Sequence, residues 1–141
     1  MALLAMVVLV IGCDLFAATP SFTVAVPDHQ EFTINVFDRS GLVTAARAPV
    51  RSTRQSLDAE ATADPANHEL TLRWLGGVCH FGPAVTVSGT AAALHLLLEP
   101  DAGPGLPFFA SCPAAGLEFG LTLTLAEPVE QDAVSVEVTT R

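Results

Sequence analysis

The chain has 141 residues, 6 basic against 15 acidic side chains, a formal net charge of −9, and half of its residues hydrophobic. That is the size of one domain, too apolar for intrinsic disorder and too acidic to hold nucleic acid by neutralising phosphates. All the basic side chains are Arg, and the chain has no Lys and no Tyr, which excludes Schiff-base catalysis and Tyr as an acid or nucleophile.

The first element, Ala2 to Cys13, is apolar or Gly throughout. It is shorter than the about 20 apolar residues that span a bilayer, and it has the length of a secretory h-region. It ends in Val10-Ile11-Gly12-Cys13, which resembles the lipobox of bacterial lipoproteins: two aliphatic positions, a small residue, then Cys. The resemblance implies that the Cys13 thiol takes a diacylglycerol and that the signal is cut just before it. It further implies a cell-envelope location, with the protein anchored to a membrane on the extracytoplasmic side. Asp14 directly after Cys13 resembles the inner-membrane retention signal of enteric lipoproteins. The usual basic residue before the apolar run is missing. The competing readings are plain secretion, with a cut near Ala17-Ala18, and an uncleaved or cytosolic form. The A-x-A pattern fails at Ala17-Ala18, because Phe16 and Leu15 occupy the positions two before. The implied organisation is a signal peptide at 1–12, a lipidated tether at 13–20 and a folded domain at 21–141.

Beyond the tether the apolar period is two. Phe22, Val24 and Val26 form the first alternation, followed by Phe32, Ile34 and Val36. A turn at Asp38-Arg39-Ser40-Gly41 precedes a further short strand over Leu42 to Ala46. The segment from Arg47 to Asn67 breaks the pattern and reads as a solvated crossover, with Arg54 above Asp58 if its centre is helical. Alternation resumes at Leu70, Leu72 and Trp74, at Val85 and Val87, and at Leu94, Leu96 and Leu98. The longest run is Leu117, Phe119, Leu121, Leu123 and Leu125, and Val134, Val136 and Val138 close the series. Seven or eight half-buried strands separated by turns predict an all-β fold, a small antiparallel β-sandwich that is immunoglobulin-like in architecture only. The immunoglobulin order of Cys, Trp and Cys is absent, since Trp74 precedes both remaining cysteines.

Those two, Cys79 and Cys112, form an even pair in an exported domain and are expected to be joined in a disulfide. On chain-entropy reasoning, a closed loop of this length is worth roughly 3–4 kcal/mol. The same cysteines with His80 and His95 have the chemistry of a zinc site. Neither Cys, however, has a ligand partner at the usual spacing, and His95 alternates with Leu94 and Leu96 toward solvent. In Trp74-Leu75-Gly76-Gly77-Val78-Cys79 the glycines are expected to permit a bend that aims Cys79 at its partner.

No nucleophile elbow, phosphate loop, EF-hand loop or H-E-x-x-H motif occurs, and none implies a cofactor. The carboxylate pairs Asp28/Glu31 and Glu127/Glu130 sit beside Pro27 and Pro128 and read as turn and surface residues. Arg47, Arg51 and Arg54 are followed by Asp58, Glu60 and Asp64, which favours a solvated loop over contact with lipid headgroups. The loop from Glu99 to Pro113 holds Leu106, Phe108 and Phe109. Two adjacent Phe on an extended chain cannot both point inward, so this loop is either a contact surface or a lid on the end of the core. The expectation is therefore a non-catalytic, membrane-tethered binding or structural module whose partner is an unidentified envelope protein or ligand. The rival classes are a secreted hydrolase with a loop-built site and an envelope metal-binding protein.

Overall fold

Alternation of apolar and polar side chains gives each strand one dry and one wet face, and two such sheets must close on each other. The computed structural model describes residues 19–27, 29–48, 59–77, 82–100, 102 and 116–139. These form β1 (Phe22–Val26), β2 (His29–Asp38), β3 (Val43–Arg47), β4 (Glu60–Asp64), β5 (Glu69–Gly77), β6 (Ala84–Thr90), β7 (Ala93–Glu99), β8 (Gly116–Leu125) and β9 (Val134–Val138). One sheet, A, has the order β1-β2-β6-β7-β9. The other, B, has the order β3-β8-β5-β4. The protein is an all-β sandwich.

The core lies where the period of two placed it. Ile34, Val36, Val85, Val87, Leu94, Leu96 and Leu98 from sheet A meet Leu70, Leu72, Trp74, Phe119, Leu121 and Leu123 from sheet B, all buried. Val43, Ala84 and Val129 join them. Phe22, Val134 and Val136 pack against this core while only partly buried.

Two corrections to the expected architecture have physical causes. The described residues form nine strands rather than seven or eight. The additional one, β4, lies in the segment read as a crossover: its inward residues are Ala61 and Ala63, too small to give apolar contrast against Glu60, Thr62 and Asp64. The pairings are also mixed. Five are antiparallel, whereas β2 with β6 and β7 with β9 run parallel. Each parallel pair is separated by an excursion through sheet B, which brings the chain back to sheet A in its original direction.

The strand directions give the sandwich two unlike poles. At the closed pole lie Phe22, Asp38, Val43, Asp64, Glu69, Thr90, Ala93, Leu125 and Val134, joined by connections of two to eight residues. There the Asp38 carboxylate organises the passage from sheet A to sheet B. Its Oδ1 accepts from the Ser40 and Gly41 amides at 2.9 and 3.0 Å and from Ser40 Oγ at 2.6 Å, and its Oδ2 accepts from the Val43 amide at 3.1 Å. Gly41 takes φ +72°, a conformation that a side chain would strain. At the open pole lie Val26, His29, Arg47, Glu60, Gly77, Ala84, Glu99 and Gly116, joined across 27–28, 78–83 and the two longest connections, 48–59 and 100–115.

Candidate functional site

Most of the residues singled out from sequence fall outside the described residues: Cys13, Cys79, His80, Leu106, Phe108, Phe109 and Cys112, and likewise Asp28, Arg51, Arg54 and Asp58. The strand ends leading to the two cysteines are described. Gly77 and Gly116 are direct cross-strand partners at the open end of the β5–β8 ladder. Cys79 follows that pair by two residues and Cys112 precedes it by four.

Beneath the open pole sits an aromatic cluster. Trp74 on β5 stacks on Phe119 of β8, with ring centroids 5.4 Å apart and planes at 10°. Phe119 meets Phe32 of β2 edge-on at 6.2 Å and 80°, which ties the two sheets together. Gly76 and Gly77 do not bend the chain as the sequence suggested; both continue β5, opposite Leu117 and Gly116. Trp74 is 2% exposed, and its Nε1 has no hydrogen-bond partner among the described residues. A buried donor left unpaired is a standing cost of about 1–3 kcal/mol.

His95 is where alternation placed it, on the outer face of sheet A. Its Nε2 lies 3.3 Å from Glu137 Oε2 on β9. Gly77 and Gly116, which lead to Cys79 and Cys112, belong to sheet B. No group of three or more His, Cys, Asp or Glu side chains among the described residues is arranged to hold a metal ion.

The outer face of sheet B carries an open polar depression of about 320 Å³ lined by Thr62, Asp64, Glu69, Thr71 and Arg73. Its carboxylates are already committed. Glu69 pairs with Arg47 at 2.8 Å. Asp64 caps the 3₁₀ turn Pro65–Asn67, accepting from Asn67 Nδ2 at 2.8 Å and from the Asn67 amide at 3.2 Å. The Asn67 side chain first, and its amide second, hold the Asp64 carboxyl below the usual carboxylate range. The Thr71 and Thr122 hydroxyls bond each other at 3.1 Å across the ladder. One carboxylate paired with an arginine and the other held by hydrogen bonds, on an open surface, suit contact with polar groups better than proton transfer, which needs a poised and accessible acid or base.

Glu127 and Glu130 are exposed, as surface residues of the turn before β9. Between them Val129 is buried at 2%, a core residue hidden from pattern reading by its place in a Glu-Pro-Val-Glu loop. Gln131 was likewise not singled out. Its carboxamide bonds the outer edge of β4, donating to the Ala61 carbonyl at 3.0 Å and accepting from the Ala63 amide at 2.7 Å. No local signal marks such a long-range side-chain contact. Among the described residues no helix is long and apolar enough to cross a membrane. Compared with protein-family models, curated proteins and solved structures, the chain has no match.

Proposed function

We propose that this chain is a non-catalytic lipoprotein of the bacterial cell envelope, a β-sandwich tethered to a membrane through Cys13 and acting as a binding or structural module. The observation that carries the proposal is the sequence Val10-Ile11-Gly12-Cys13 closing an apolar run, with the first strand among the described residues opening at Phe22. The geometry of the domain is compatible with such a tether. The chain enters the sandwich at the closed pole, where the Ser21 amide bonds the Val36 carbonyl at 2.8 Å. A lipid at Cys13 would therefore be joined to the domain at that pole, through residues 14–20.

The proposal includes a disulfide between Cys79 and Cys112. A disulfide needs Cα atoms within about 7 Å, and two and four residues of chain leading from a paired Gly77 and Gly116 allow that approach. Non-reducing peptide mass spectrometry of the exported protein is expected to find the two cysteines linked. Free thiols would remove the bridge, and stoichiometric zinc would replace it with the metal reading.

The anchoring test is phase partition. In a Triton X-114 extraction the native protein is expected in the detergent phase. Cys13→Ser is expected to move it to the aqueous phase or to leave an unprocessed precursor. A Ser variant that is processed and partitions like the parent removes the lipoprotein reading.

A further inference from the structure

Of the four edge strands among the described residues, three carry an obstacle to further pairing. The pairing of β1 with β2 shifts register between Ala25 and Val26, and that of β3 with β8 shifts between Val43 and Ala45. The edge of β4 is closed by the Gln131 carboxamide. Bulges and side-chain stoppers are the usual means by which exposed edges are kept from templating another strand. The edge of β9 has none of these. It pairs with β7 in unbroken register from Val134 to Val138, and contains no Pro.

The orientation of its backbone follows from two hydrogen bonds. The Thr139 amide donates to the Leu98 carbonyl at 2.9 Å, so the N–H and C=O of positions 135, 137 and 139 face β7. Those of Val134, Val136 and Val138 face outward. The Val134 N–H is taken by the Gln131 carbonyl. The Val134 carbonyl, and both groups of Val136 and of Val138, form an unpaired edge among the described residues. Val138 is also the exposed large hydrophobic side chain among those residues, at 45%.

We propose that this edge pairs with the β9 edge of a second copy of the chain, antiparallel and with Val136 on the two-fold axis. The sequence is self-complementary in that register. Only registers that oppose outward-facing backbone positions make ladder bonds. With the axis at Val136, the two Val136 residues exchange both bonds, and each Val138 N–H donates to the partner copy's Val134 carbonyl. Val138 of each copy then covers Val134 of the other, and Glu137 stands opposite Ser135. Moving the axis to residue 137 would set the two Glu137 carboxylates directly opposite, which is destabilising. Moving it to residue 135 would leave Val138 unpaired. The assembly is an isologous dimer with one continuous ten-stranded sheet, made from two copies of five-stranded sheet A.

The test reads both the pairing and its register. Ser135→Cys and Glu137→Cys chains are prepared separately and as a one-to-one mixture, oxidised, and mapped by peptide mass spectrometry. Position 135 of one copy faces position 137 of the other, so the mixture is expected to give about tenfold more 135–137 linkage than either variant gives of any self-linkage. Adding Val136→Pro to both chains is expected to abolish the linkage while leaving the chains folded, because that N–H faces away from the β7 ladder. Val138→Arg, at a side chain exposed in the single copy, is expected to reduce it about tenfold and serves if the Pro variant fails to fold. Absence of linkage in the mixture, predominant self-linkage, or linkage that persists in the folded Val136→Pro or Val138→Arg chains overturns the proposal.

Discussion

The ring of Phe119 occupies the space that a side chain on Gly76 would need: a Cβ there would lie 2.5 Å from Phe119 Cε2 and 2.9 Å from Cδ2. Gly76 is thus a packing residue within β5, and its missing side chain lets the aromatic ring lie flat between its strand and Trp74.

Gly76→Ala should therefore cost about 1–3 kcal/mol, the usual penalty for overpacking a filled core. Phe119→Leu alone should also destabilise, by loss of the stacked ring. The double variant should cost less than the sum, because each change removes the other's difficulty. Urea denaturation of the four proteins checks this, and strict additivity would show that the two residues do not compete for the same space.

Trp74 combines a favourable stack with a buried Nε1 that has no partner among the described residues. Trp74→Phe retains an aromatic face and deletes the orphan donor, so it should change stability by less than about 1.5 kcal/mol. Trp74→Ala removes the ring and should cost about 3–5 kcal/mol. Equal and large losses from both substitutions would show that the indole nitrogen has a partner.

At the opposite pole, Asp38→Ala should destabilise by about 2–3 kcal/mol, since one carboxylate satisfies the Ser40, Gly41 and Val43 amides and the Ser40 hydroxyl. Asp38→Asn keeps one acceptor oxygen and should lose less. A lower denaturation midpoint with an unchanged m-value would identify the effect as native-state stability.

The Asp64 cap predicts a pH dependence with a definite sign. Its carboxyl is held below the usual range by Asn67, so folding favours the ionised form. The resulting stabilisation is complete above the ordinary carboxylate value and is lost as pH falls through the lowered one. The parent should melt above Asp64→Asn at neutral pH, and the gap should close in acid. A gap constant from pH 7 to about pH 2 would show that the carboxylate's charge is irrelevant to the cap.

The strands with contrasting faces were legible from residue order alone, and so was the burial of Trp74, Leu96 and Leu121, because a period of two survives any choice of neighbours. What was not legible depends on contacts distant in sequence. Gly76 looked like a hinge until Phe119 was opposite it. The β4 strand was masked because Ala61 and Ala63 contribute little hydrophobic contrast. The parallel pairings follow from excursions between sheets, which no local pattern encodes. Val129 and Gln131 lie in a short loop that reads as surface, yet one fills the core and the other closes a sheet edge. Of the candidate lipidation, disulfide, metal and contact-loop residues, only His95 falls among the described residues, and there alternation had fixed its face correctly.

The two poles also determine how the domain would carry a load. β1 enters from the closed pole, and β9 leaves toward the open one, on opposite edges of the same sheet. Tension applied between Ser21 and Val138 therefore acts along the strand axes, pulling β1 lengthwise against β2 and β9 lengthwise against β7. In that geometry the bonds of each ladder are strained together and must fail together, whereas a hairpin pulled from one end opens bond by bond. A sandwich held at its base and pulled from its far end would thus resist extension in shear, the arrangement suited to a mechanical link rather than a strap that peels.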